Sequence, residues 1–179
     1  MGDFLDSLNL KLDKSNLELP DPELLQYYLD KRERVIWLDS DVDESVLNIS
    51  RQILQYNRDD IDVPVEERIP IKLLIYSYGG DGLVCYSLLD IIALSKTPVY
   101  TVNMGVSMSA ALMILLAGHK RYCLKRSTAL IHSGSGGTSG TYEQTEAQMK
   151  DYQYFVKTMR EYIMDRTNID SKTLNKYKG

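Results

Sequence analysis

Cysteine and histidine are scarce, since the 179 residues contain only two of each. Cys85 and Cys123 lie inside apolar runs, and their spacing matches neither a disulfide framework nor a metal-ligand motif. We therefore expect a protein of the reducing cytoplasm that holds no metal and uses no other cofactor. The shortage of histidine also limits the candidates for a general base to His119 and His132.

Clusters of basic residues are absent as well. The net charge is −4 and no run of lysine and arginine opposes it, which argues against a nucleic-acid-binding surface. The first residues carry Asp3 and Asp6 and lack a basic stretch followed by an apolar core, so they do not form a signal peptide.

One uncharged stretch, residues 97–118, has the length of a membrane-spanning helix. Pro98, Asn103 and Gly105, together with two serines, interrupt its first half, where a spanning helix would be most apolar. The pattern favours a buried strand, a turn and a buried helix, and we expect no membrane partner.

Apolar periodicity divides the chain into short strands and helices. Alternating leucines between residues 8 and 12 predict a half-buried strand, and Asp21 followed by Pro22 predicts the start of the first helix. The other predicted strands are 34–38, 71–77, 99–102, 121–124 and 129–131, and the other predicted helices are 41–56, 83–94, 110–116 and 142–167. The length indicates one domain, and there is no internal repeat.

Ser107 lies between the predicted strand 99–102 and the predicted helix 110–116. A serine on a tight strand-to-helix turn has its hydroxyl held away from the chain, and the next backbone N–H points toward the group that the hydroxyl attacks. The motif departs from Gly-x-Ser-x-Gly because Ser109 occupies the second glycine position. The alternative is that a serine here merely caps the helix.

Two further features follow predicted strands. Gly79 and Gly80 form a tight turn after strand 71–77, and His132 ends strand 129–131 just before a glycine-rich stretch. Gly80-x-Gly82 resembles a dinucleotide fingerprint, but the third glycine is missing and no acid ends the next strand. A strand-end histidine is often structural; together, however, the serine, the glycine turn and the histidine could converge on one cleft.

These motifs, in this order, resemble those of the Clp protease proteolytic subunit, ClpP, over residues 27–167. The matching segments are 30–38, 76–80, 105–110, 117–124, 130–132 and 165–167. The resemblance implies an α/β fold, a spiral of β-β-α units with a long protruding handle helix, also found in crotonases. It implies a single peptidase domain over 1–179, with an N-terminal segment 1–20 and a handle region 133–167.

The resemblance also implies roles for four residues. Ser107 is the expected nucleophile and His132 the expected base, and the backbone N–H groups of Gly80 and Met108 form the expected oxyanion hole. The implied protein is a serine endopeptidase subunit, ATP-independent in its own chemistry, that cleaves unfolded proteins inside a self-compartmentalising assembly. We expect a homo-oligomer of heptameric rings, an AAA+ unfoldase as partner and a preference for apolar side chains.

The third catalytic residue of the family, an aspartate, has no match. An ungapped alignment from His132 places it about two positions past Gly179, and Asp165 and Asp170 are the nearest acids. We expect the natural chain to continue with an Asp or Glu, and the 179-residue protein to hydrolyse peptides very slowly. Disabling this acid in a studied serine protease lowered kcat by about 10⁴.

Two other functions stay open at this point. The first is a catalytically inactive ClpP-like subunit that builds rings with an active partner. The second is a crotonase-type acyl-CoA enzyme, which shares the spiral fold and the paired N–H groups but requires a catalytic carboxylate rather than a serine and a histidine.

Overall fold

The computed structural model describes residues 21–132, 134 and 136–176, and the chain divides into two compact units, the second of which begins at Arg34. The first unit contains helix α1, Pro22–Arg32, whose start is as predicted because the Asp21 carboxylate accepts the Glu23 N–H. The predicted strand at 8–12 and the segment 1–20 lie outside the described residues. The interpretation of residues 1–179 as one peptidase domain stays a prediction.

The second unit is built on a parallel sheet. Its strands are β1 Val35–Leu38, β2 Ile71–Ser77, β3 Val99–Met108, β4 Lys120–Cys123 and β5 Thr128–Leu130. The order is β1-β2-β3-β4, and β5 pairs with β3 beyond the end of β4. Since every pairing is parallel, the carboxyl ends of the strands share one edge of the sheet.

Helices connect and cover these strands. They are α2 Val46–Asp59, α3 Gly82–Leu94, α4 Ala110–Ala117, α5 Tyr142–Arg166 and α6 Ser171–Lys176, with a 3-10 turn at Val65–Glu67. All eight residues of α4 are apolar and buried, so this helix lies at the centre of the core. The mixed α/β architecture predicted above is confirmed.

The start of α2 differs from the sequence expectation. The chain at Val42 is extended and forms a β-bridge with Gly80, so the helix begins only at Val46. Asp43 accepts the N–H of Ser45 just before it. Residues 41–45 therefore support the glycine turn that follows β2 instead of opening the helix.

The long helix α5 is anchored at both of its described ends. A capping box joins Thr141 and Gln144 at its start. At its end, the Arg166 guanidinium donates hydrogen bonds to the carbonyls of Leu116, Ala117 and Gly118, at 2.9, 3.1 and 3.1 Å. These carbonyls are left without helical partners where α4 ends, so Arg166 ties α5 to α4.

The base of α5 also rests on α3. A Cβ on Gly82 would lie 2.2 Å from the Phe155 ring, so the two helices touch where α3 begins. One turn further along α3, the Tyr86 hydroxyl lies 2.9 Å from Thr158 Oγ1. These contacts fix the angle between α3 and α5.

Candidate functional site

Ser107 lies in a strand rather than in a turn. The prediction that the strand ends at 102 is wrong, because β3 continues to Met108 between β2 and β5. Ser107 pairs with Ser77 on one side and with Ala129 on the other. The turn into α4 falls instead at Ser109, which has a φ of 53° and a ψ of −124°.

A bulge in β3 sets the position of Ser107. Ile75 pairs with Asn103, but Ser77 pairs with Ser107, so β3 contains two more residues than β2 over this interval. The Asn103 side chain holds the extra residues, accepting the Gly105 N–H at 3.0 Å and donating to the Thr128 carbonyl at 2.9 Å. Sequence reasoning missed this role, although an asparagine two residues before a glycine is typical of such a turn.

The Ser107 side chain is completely buried, with 0% relative exposure. Its Oγ has no hydrogen-bond partner among the residues that the structure describes, His132 included. A buried hydroxyl without a partner is costly and uncommon in folded proteins. The arrangement therefore contains a desolvated hydroxyl that is free to bond a group brought in from outside.

The Gly79–Gly80 turn lies directly against the end of β3. A Cβ on Gly79 would lie 2.6 Å from the Met108 carbonyl oxygen and 2.7 Å from Ser109 Cβ. On its other side the turn is held by Val42, whose N–H donates to Gly79 O at 2.8 Å and whose carbonyl accepts the Asp81 N–H. Both glycines have positive φ, which permits this close approach.

The N–H groups around this turn have different environments. Within the described residues, nothing accepts a hydrogen bond from the Gly80 N–H, and Gly80 is exposed. The Ser109 N–H donates to the Leu130 carbonyl of β5 at 3.1 Å. Since successive strand N–H groups point to opposite edges, the Met108 N–H faces β2 and the glycine turn that follows it.

The two histidines lie at opposite ends of β3. His132 is exposed and follows β5, whose Leu130 pairs with Met108. His119 instead accepts the Val99 N–H on Nδ1 at 3.0 Å, at the start of β3. Roughly 25 Å of strand separates Val99 from Ser107, so His119 cannot serve that hydroxyl.

A cavity of about 450 Å³ lies between β5 and α5, with His132 in its wall. The surrounding side chains are mainly apolar, namely Leu130, Ile131, Val156, Met159, Ile163, Ile169 and Leu174. Arg160 and Thr173 contribute polar groups at its margin. The cavity can receive an apolar side chain beside the histidine.

A second possible nucleophile lies near the site but is chemically inert. The Cys85 thiol donates to the Ala110 carbonyl at 3.3 Å, and burial raises its pKa to about 12. It therefore stays protonated at neutral pH. Over the described ranges, no group of three histidine, cysteine or acidic side chains could hold a metal ion, and no helix is long and apolar enough to cross a bilayer.

Comparisons with known proteins agree on one family. The family model described as Clp protease matches residues 25–178. The ATP-dependent Clp protease proteolytic subunit 2 of Treponema denticola is 29% identical over 168 residues, which span 92% of this chain and 80% of that protein. Subunit 1 of Corynebacterium jeikeium is 31% identical over 139 residues, spanning 76% and 71%.

A solved structure has the same fold. A ClpP1 mutant from Listeria monocytogenes superposes with a TM-score of 0.70 at 22% identity, covering 86% of this chain and 82% of that one. The predicted spiral α/β fold is therefore confirmed.

Proposed function

Since the chain belongs to the Clp protease family, we propose that it is a serine endopeptidase subunit that cleaves unfolded polypeptides. Ser107 Oγ attacks the peptide carbonyl carbon, and His132 takes the hydroxyl proton as general base. The tetrahedral intermediate collapses when His132 returns that proton to the leaving amine. Water then repeats the two steps on the acyl-enzyme and releases the acid.

The observation that carries this proposal is the register of three strand ends. Ser77 pairs with Ser107, and Met108 pairs with Leu130, so the carboxyl ends of β2, β3 and β5 lie side by side. The glycine turn follows β2, Ser107 is the last residue but one of β3, and His132 follows β5. This common edge supports a single reaction site formed by residues that are far apart in sequence.

The same edge supports an oxyanion hole. The Gly80 N–H is available there, and the Met108 N–H faces the turn that holds Gly80. The first turn of α4 adds positive potential where negative charge would develop on the carbonyl oxygen. The apolar cavity beside His132 is proposed to bind the side chain that precedes the cleaved bond.

A second candidate function has one observation in its favour. Because Ser107 is fully buried and makes no hydrogen bond to His132, the arrangement also fits a ring subunit without activity of its own. In an active peptidase the Gly79–Gly80 turn would open when substrate binds. In an inactive subunit the chain would contribute only to the structure of the ring. The acyl-CoA alternative lacks comparable support, since the family that matches is that of the proteases.

Fluorophosphonate labelling separates these two functions. A peptidase should be labelled at Ser107, and mass spectrometry of the digested adduct should place the phosphonate on the peptide that contains that residue. Ser107→Ala should abolish labelling, whereas Ser109→Ala, which leaves the nucleophile in place, should still form the adduct on Ser107. Labelling of the Ser107→Ala protein at the wild-type rate would contradict the assignment, and absence of labelling in the wild type would favour the inactive subunit.

We also propose that the subunit forms rings that stack through the start of α5 and serve an AAA+ unfoldase. The exposed side chains there include Tyr142 and Met149, which have no described contact that would bury them. They lie seven residues apart, on one face of the helix, and aromatic residues and methionine are enriched at subunit interfaces. Stacking by a repeated contact would leave the reaction sites inside a closed chamber.

Sedimentation velocity tests this assembly. The wild-type protein should sediment as a species many times the protomer mass, and Met149→Glu should shift it toward half that mass by separating stacked rings. Glu143→Gln, an exposed change on the same helix, should have no such effect. A protomer-sized species alone at tens of micromolar would overturn the ring proposal.

A further inference from the structure

Ser109 has a backbone conformation that a serine rarely adopts. Its φ of 53° and ψ of −124° match the first central residue of a type II′ turn, a position dominated by glycine. Arg34 is the other non-glycine residue of positive φ in the described chain. A side chain kept in a strained conformation beside a candidate site calls for a reason.

The backbone of Ser109 does not supply that reason. Its N–H donates to Leu130, and its carbonyl accepts the N–H groups of Leu112 and Met113. A glycine could make all of these bonds with less strain. The side chain does not cap α4, because no N–H of the helix bonds its oxygen. The hydroxyl itself therefore has no structural task in the described part of the chain.

The location of that hydroxyl indicates its use. Ser109 Cβ lies 2.7 Å from the point where a Gly79 Cβ would stand, so the side chain is in contact with the Gly79–Gly80 turn. The residue is only partly buried, so part of its surface is exposed beside the turn.

We infer that the Ser109 hydroxyl is a further catalytic donor, which hydrogen-bonds the substrate carbonyl oxygen together with the Gly80 and Met108 N–H groups. This inference rests on the proposed peptidase function. The bond requires no proton transfer: the hydroxyl donates to the oxygen more strongly as negative charge develops there, and it keeps its proton when the intermediate collapses. The buried, unpartnered Ser107 Oγ is the neighbouring group that would form the new bond to carbon.

Two substitutions separate the hydroxyl from the backbone strain. Ser109→Gly removes both, and Ser109→Ala removes the hydroxyl alone. Both variants should lower kcat for a fluorogenic peptide by about 10-fold or more with little change in KM, as expected for a bond that strengthens in the transition state. The Gly variant should nevertheless have a Tm at least equal to that of the wild type.

A wild-type kcat in the Gly variant would overturn the inference, and so would a loss confined to the Ala variant, because strain alone would then explain it.

A binding measurement provides a readout that does not depend on turnover. In the Ser107→Ala protein, adding Ser109→Gly should weaken binding of a tripeptide acid about 10-fold, since its carboxylate would occupy the oxyanion position. Full hydrolysis by Ser107→Ala itself would instead refute the proposed function.

Discussion

Replacement of Ser107 or of His132 by alanine is expected to lower kcat for peptide hydrolysis by about 10²- to 10⁴-fold. The doubly substituted protein should lose no more than either single variant, because a base that acts only through the nucleophile has nothing to do once the nucleophile is gone. The measurement is kcat and KM for one fluorogenic peptide with all three variants, each first shown to have the wild-type Tm.

The other histidine provides the matched control. His119→Asn keeps a side-chain acceptor for the Val99 N–H at the far end of β3, so the fold should be retained and kcat should stay near that of the wild type. Losses that multiply in the double variant would show that Ser107 and His132 act separately. An equal loss of kcat in His119→Asn would show that the substitutions act by disturbing the fold rather than the reaction.

Strands and buried helices could be predicted from the sequence because their signals are local. The continuous apolar run from 110 to 116 has no polar face, and its helix is buried on all sides. The strand at 35–38 is a continuous run of apolar residues, and the strand at 71–77 alternates between buried and more exposed residues. Both lie where they were expected. The apolar residues of a helix are not all buried: in α2, Ile49 and Ile53 are buried, but the next residue, Leu54, is 43% exposed.

The geometry around Ser107 could not be predicted because it depends on pairing between distant segments. Glycine and serine at 105 and 107 indicate a turn when they are considered alone, yet β2 and β5 flank this segment and draw it into the sheet. The bulge before Ser107 depends on a bond from Asn103 to Thr128, 25 residues away. Likewise, the chain is extended at Val42 because the Val42 N–H donates to the Gly79 carbonyl and the Val42 carbonyl accepts the Asp81 N–H.

Removal of one partner of a buried ion pair is expected to destabilise the second unit strongly. The Arg34 guanidinium donates to both carboxylate oxygens of Asp60 at 2.6 Å, and the Thr97 hydroxyl donates to the same carboxylate at 2.8 Å. Their side chains are only 15% and 5% exposed. Asp60→Leu leaves the guanidinium buried without its partner, so the free energy of unfolding should fall by about 3–5 kcal/mol.

A double variant tests whether the unpaired guanidinium causes this loss of stability. Arg34→Met combined with Asp60→Leu leaves no unpaired charge, so it should cost less than Asp60→Leu alone in urea unfolding. Glu146→Gln is the surface control: Glu146 pairs with Lys150 at 2.8 Å, but both side chains are largely exposed, and its cost should stay below about 1 kcal/mol. A double variant no more stable than Asp60→Leu would contradict the unpaired-charge explanation.

The same pair should make stability depend on pH in the acid range. The hydrogen bond from Arg34 is the main cause that lowers the pKa of Asp60 in the folded protein. Since the unfolded carboxyl titrates near about 3.9, its stabilising contribution is complete above that pH and is lost as the pH falls toward the lower folded pKa. The difference in unfolding free energy between wild type and Asp60→Asn should therefore be constant from about pH 5 to 8 and shrink below about pH 4. A difference that stays constant down to pH 2 would mean that Asp60 stabilises the fold without its charge.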